Sequence, residues 1–211
     1  MRRLGEVVPA GRARLRPPEP RPCPAEVPAV ADVVSAWIDE IAREPVVLVG
    51  HSTGAQAALR VAAARPDLVG ALALLGPTFP PEQRRMPALL RAYVRNSRHE
   101  PLGLQPAIVP YYLRGGPGEL LRFIRSAQRD QPEKLITEIA CPVLLARGEH
   151  DAFAPQWWVD RLTDAAPKGR STTAPGAHTF PYQHGGVTAS IIAEAAARTG
   201  SSGEHRGGRP E

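Results

Sequence analysis

The chain has 211 residues, 26 Lys and Arg against 21 Asp and Glu, a formal net charge of +5 and 43% hydrophobic residues, a balance that suits one globular domain with a sizeable core. Lysine occurs only at Lys134 and Lys168; the arginines are scattered without interleaved aromatics, which argues against a nucleic-acid groove. Arg, Glu or Pro interrupts every apolar run, so no bilayer span is expected, and Cys23 and Cys141 have neither metal-type spacing nor a disulfide framework.

Residues 1–28 are rich in proline and arginine and read as an irregular segment, with Gly5-Glu6-Val7-Val8-Pro9 as a short strand. Met1-Arg2-Arg3 has no apolar core behind it, so a secretory signal is not expected and a cytoplasmic location is. A helix is expected over residues 29–42, where Val30, Val33, Val34, Trp37, Ile38 and Ile41 recur at helical spacing. Pro45 ends it and opens the apolar strand Pro45-Val46-Val47-Leu48-Val49. The pentapeptide Gly50-His51-Ser52-Thr53-Gly54 follows, and residues 55–64 are alanine-rich and favour helix.

Arg65-Pro66-Asp67 breaks that helix. Residues 69–75 form the next strand, apolar without alternation, as a parallel strand buried on both faces should be. Residues 77–140 hold Pro-broken, Arg-rich helical pieces, clearest at 119–128, and are expected to form an inserted helical lid. A strand over 142–147, a helix over 155–166, a short strand over 170–174 and a helix over 187–197 follow. Residues 200–211 are a Gly/Ser/Arg tail expected to be disordered. Alternating strands and helices argue for an α/β fold: a mostly parallel sheet flanked by helices, with its core in residues 29–76 and 141–199.

The pentapeptide carries the chemistry. A G-x-S-x-G between strand and helix makes a turn so tight that the serine takes a strained backbone; small residues at Gly50 and Gly54 are expected to relieve collisions. His51 is expected to pack beside it. The helix N-terminus beneath the serine favours developing negative charge. A serine hydroxyl is a weak nucleophile that needs a histidine to take its proton and a carboxylate to orient that histidine. Asp151, in Gly148-Glu149-His150-Asp151, is the candidate acid, with Glu149 as a rival. His178, in Pro175-Gly176-Ala177-His178, is the candidate base, with His150 and His184 as rivals. Each follows a strand, which brings all three to the C-terminal edge of a parallel sheet, where ligands bind in open α/β folds. Trp157 and Trp158 read as core or cleft wall.

These three segments resemble the α/β-hydrolase superfamily, whose triad runs in the chain order Ser52, Asp151, His178. The nearest flavour is the lid-bearing bacterial esterase and carbon–carbon bond hydrolase group. The resemblance implies Ser52 as nucleophile, His178 as general base, Asp151 as its orienter and the Thr53 backbone N–H as one oxyanion-hole donor. It implies no metal and no organic cofactor, and a small apolar ester or related acyl substrate as the partner. A serine at position 52 also separates the chain from the dehalogenase branch, which has an aspartate there.

The front of the chain departs from the family pattern. Members carry further strands ahead of the one expected at residues 5–9, and a His-Gly loop that donates a second oxyanion hydrogen bond. No such loop stands ahead of Val46, and Gly11-Arg12-Ala13-Arg14 resembles a degraded form of the family's loop after its fourth strand. The expectation is a partial hydrolase fold with its first strands missing, leaving Val46-Val47-Leu48-Val49 as an unpaired edge. An upstream start, a shortened gene product, or a partner such as a second copy of the chain covering the edge would each account for it. The alternative to a working esterase is a truncated, catalytically impaired hydrolase-like protein or a small-molecule binding module.

Overall fold

The apolar runs of the sequence pair with one another as neighbours. In the computed structural model the strands β1 (Val46–His51), β2 (Val69–Leu75), β3 (Val143–Gly148) and β4 (Gly169–Ala174) form a 4-stranded sheet in the order β1-β2-β3-β4. Every pair is parallel, with Leu48 opposite Leu72, Leu74 opposite Leu145 and Gly148 opposite Ala174. The structure describes residues 23–199 apart from 102, 104–105, 107–109 and 111–114. The strand expected at residues 5–9, the loop at 11–14 and the tail at 200–211 lie outside the described residues.

Parallel strands need crossover segments, and those segments cover both faces of the sheet. Leu72, Leu74, Val143 and Leu145 point into one core with α2 (Thr53–Ala64) and α5 (Gln156–Ala165). The alternate residues Ala73, Leu75, Leu144 and Ala146 point into the other, against Ile191 and Ala195 of α6 (Gly185–Ala197). That two-sided burial explains why β2 and β3 are apolar without alternation. β1 is less covered: Val46, Val47 and Leu48 are half-buried and Val49 is 39% exposed. Among the described residues β1 pairs on one side only, as an edge strand does.

Helix α1 (Val27–Ile41) begins two residues earlier than expected, with Pro28 in its first turn, where a missing N–H costs nothing. Its buried stripe is Val27, Ala31 and Ile38, with Val34 half-buried. Val33, Trp37 and Ile41 are 38%, 59% and 50% exposed, so the expected apolar face is corrected in part: Val30, Val34 and Ile38 pack on the core, and Val27 and Ala31 join them. Helices α3 (Met86–Ser97) and α4 (Pro117–Arg129) come from the stretch between β2 and β3. Ala127, Ile136 and Ile139 from that stretch share the core with Leu59 and Leu72.

The two adjacent tryptophans part company. Trp158 is fully buried and its Nε1–H donates to the Pro77 carbonyl at 3.0 Å, whereas Trp157 is 46% exposed. Trp158→Ala is expected to cost about 3–5 kcal/mol of stability in urea unfolding, the range for truncating a buried aromatic. Trp157→Ala should cost less than about 1 kcal/mol. Equal losses at the two positions would contradict this division of roles.

Candidate active site

β1 runs straight into α2 through Ser52, whose backbone sits at φ 58° and ψ −126°. A side chain-bearing residue adopts that region only under strain, and here the flanking structure imposes it. Ser52 N–H donates to the Leu75 carbonyl at 2.9 Å, and Ser52 C=O accepts from Ala55 N–H at 3.0 Å. A Cβ on Gly50 would lie 2.5 Å from the Gly54 oxygen and 2.7 Å from the Ala55 Cα, so only glycine fits there. Gly54 is different: a Cβ there meets nothing within 4 Å. The expectation that both glycines relieve collisions is therefore corrected, because the crowding falls on the strand side of the turn alone. Thr53 opens α2, so its N–H is one of the first-turn donors without an intrahelical partner.

The strand ends of β3 and β4 bring the other two side chains to Ser52. His178 Nε2 lies 2.9 Å from Ser52 Oγ, and His178 Nδ1 lies 3.0 Å from Asp151 Oδ2. Asp151 Oδ1 accepts from the backbone N–H groups of Phe153 and Ala154, each at 2.9 Å. Asp151 and His178 are buried and Ser52 is half-buried. The rivals stand elsewhere: Glu149 is exposed and pairs with His150 at 3.7 Å, while His150 stacks on His99 at a centroid distance of 4.3 Å. The His184 ring lies beside Gly176, not beside Asp151.

Residues that the sequence did not single out shape this arrangement. Gly76 follows β2 at φ +55°, and a Cβ there would lie 2.9 Å from His178 Nδ1 and 3.1 Å from Asp151 Oδ2. It leaves room for the acid–base pair. Gly148, at the end of β3, would place a Cβ 2.1 Å from the Ala177 oxygen, so the loops bearing Asp151 and His178 touch backbone to backbone. Arg147 is buried, and its guanidinium donates to the carbonyls of Ala154 at 2.8 Å and Glu149 at 3.1 Å, bracing the turn around Asp151. A glycine closing each of the strands β2 and β3 is the signal in the sequence for this crowding.

Burial by itself would push the Asp151 carboxyl up. The His178 charge, its hydrogen bond and the two backbone N–H groups outweigh burial and hold it below the usual carboxylate range. Asp151 is therefore ionised near neutrality. His51 is also close: its ring lies 4.9 Å from the His178 ring, and its Nε2–H donates to the His178 carbonyl at 2.9 Å. Protein packed around one side of the His51 ring, and then the neighbouring His178, lower its pKa to about 4. One edge of His51 stays exposed, but the ring is neutral near neutrality.

A cleft of about 720 Å³ takes Asp151 and Ala152 into its wall together with Arg91, Arg95 and Trp157, but neither Ser52 nor His178. Among the described residues no group of three or more His, Cys, Asp or Glu side chains is placed to hold a metal ion. Nor is any helix among them long and apolar enough to cross a membrane.

Comparison with known proteins agrees with the architecture. The sequence pattern of the alpha/beta hydrolase family matches residues 5–191. A thermophilic esterase superposes with a TM-score of 0.66 at 17% identity, over 83% of this chain and 74% of its own. A malate-bound thermophilic esterase from Thermogutta terrifontis gives 0.65 at 20% identity, over 86% and 75%. At such identities the likeness is one of fold. The lipase LipV of Mycobacterium tuberculosis is 45% identical over 58 residues, which is 28% of this chain and 22% of the lipase. The match thus spans under a quarter of that relative's length.

The electrostatics of His51 predict a pH dependence of stability. With a folded pKa near 4 and an ordinary value of 6.5, the unfolded chain binds a proton in that window that the folded chain refuses. Stability is expected to fall as pH drops from about 6.5 to about 4. In urea titrations at about pH 7 and about pH 4.5, His51→Gln should show a smaller fall than the parent chain. Equal falls would remove His51 as the cause. Gly76→Ala should cost about 1–3 kcal/mol at neutral pH, from the backbone conformation and the collision with His178 together.

Proposed function

The chain belongs to the alpha/beta hydrolase family, and from that premise we propose that it is a serine hydrolase cleaving an ester or related acyl bond of a small apolar substrate. The observation that carries the reading is the unbroken line of hydrogen bonds from Asp151 through His178 to Ser52. In this reading Ser52 Oγ attacks the acyl carbon while His178 Nε2 takes its proton. Asp151, already ionised, keeps the Nδ1 proton in place and steadies the imidazolium that forms. The oxyanion meets the Thr53 N–H at the positive end of α2. The leaving alcohol takes the proton back from Nε2. A water that gives its proton to the same nitrogen then attacks the acyl-enzyme, and Ser52 Oγ leaves the acyl carbon and takes that proton back, so one ester and one water become one alcohol and one acid. The stretch 77–140, with α3 and α4, acts in this reading as a lid whose packing sets which acyl group fits. The esterase and lipase names of the relatives favour the same bond type.

A second reading keeps the pocket without efficient turnover. It is favoured by the place of the 720 Å³ cleft, whose wall takes in Asp151 and Ala152 but neither Ser52 nor His178. One assay separates the two. The purified chain is expected to be labelled at Ser52 by a fluorophosphonate and to hydrolyse short p-nitrophenyl esters. Ser52→Ala should lower that rate more than about a thousandfold, and Glu149→Gln should leave it within about twofold. A folded chain that neither takes the label nor hydrolyses the esters would establish the second reading and sink the first.

A further inference from the structure

Asn96, near the end of α3, is buried at 4% exposure although nothing in its own helix requires a polar side chain there. Its Oδ1 faces two backbone donors from distant parts of the chain: Ala152 N–H at 3.4 Å and His178 N–H at 3.3 Å. The first belongs to the residue after Asp151, the second to the histidine itself. Neither N–H has another acceptor among the described residues. The amide's other end is also occupied, since Nδ2–H donates to Glu100 Oε1 at 2.6 Å. Glu100 in turn accepts from Thr179 N–H at 3.1 Å, from the Thr179 hydroxyl, and from Gln183 Nε2 at 3.3 Å.

We infer that Asn96 is a positioning residue: its amide, braced by Glu100, staples the Asp151 loop and the His178 loop to α3 and holds the imidazole between Asp151 and Ser52. The inference rests on reading Ser52, His178 and Asp151 as the reacting groups. The chemistry favours a positioning role over simple core filling. A buried amide with both ends satisfied is rigid, and one oxygen bridging two main-chain donors fixes the separation of the loops that carry them. The Asp151 to His178 contact is a single hydrogen bond of 3.0 Å, and a displacement near 1 Å in such a relay can cost on the order of a hundredfold in rate. Because Asn96 sits on α3, the staple also ties that helix to the site. A shift of α3 would reach His178 through one side chain.

Two measurements test this. The first is the second-order rate of Ser52 labelling by a fluorophosphonate in the full chain. Asn96→Ala should lower it about ten- to a hundredfold, with the KM for a short ester within about twofold. Glu100→Gln, which keeps an acceptor oxygen, should fall between parent and Asn96→Ala. Asn96→Ala with Glu100→Ala should be no worse than Asn96→Ala alone, as two members of one staple require. The second measurement needs no turnover: the low-field proton resonance of His178 Nδ1–H, assigned by its loss in Asp151→Asn, should broaden or vanish in Asn96→Ala. An unchanged resonance and an unchanged labelling rate in the folded variant would overturn the inference. Should Asn96→Ala fail to fold, Glu100→Ala carries the same readouts. If the parent chain takes no label at Ser52, the hydrolase reading falls, and the resonance alone still decides the role of Asn96.

Discussion

The backbone of Ser52 is the constraint to which every other part of the site is referred. A residue with a side chain held at φ 58° and ψ −126° carries a cost of about 1–3 kcal/mol and persists only where its surroundings over-determine it. Three features do so. The pairing of His51 with Leu75 and the Ser52 to Leu75 hydrogen bond lock the strand side. The buried alanine face of α2 locks the helix side. Gly50 lets the two approach closer than any Cβ would allow. Relaxing any one of them would swing the hydroxyl away from His178.

Asp151 and His178 are positioned by a different device. Their strands are neighbours in the sheet, with Gly148 of β3 directly opposite Ala174 of β4, so the loops that leave them start side by side. Main-chain bonds then join the loops: Glu149 N–H to the Ala174 carbonyl and His150 N–H to the Gly176 carbonyl, both at 2.9 Å. Arg147 braces the acid turn from within. The Asp151 carboxylate spends one oxygen on its own loop and the other on His178, which leaves it fully engaged and ionised. A buried charge with that many donors is stable where a bare one would not be.

Much of the architecture was legible in the sequence because a parallel sheet writes itself plainly. Strands covered on both faces are uninterrupted apolar runs, and those at residues 69–75 and 142–147 match β2 and β3 to within about one residue. Ser52, Asp151 and His178 were legible as candidates because each follows a strand in a short turn, and the structure brings those three side chains into hydrogen-bond reach. Where the reading failed, the missing information was a neighbour. Trp37 and Ile41 look like core residues, yet they stay exposed while Val27 and Ala31 are buried. Gly54 looks like a twin of Gly50, yet only Gly50 faces another backbone. Asn96 gives no local signal at all, since its donors lie 56 and 82 positions away.

The backbone contact at Gly148 has a consequence for anyone wishing to redesign the chain. With no space for even one carbon between Gly148 and the Ala177 carbonyl, the loops that carry Asp151 and His178 cannot be exchanged one at a time. A graft from a relative must carry residues 148–154 and 174–179 together, or the incoming loop will collide with the resident one. The paired loops travel as one cassette, and Asn96 of α3, which reaches both, must be kept with them.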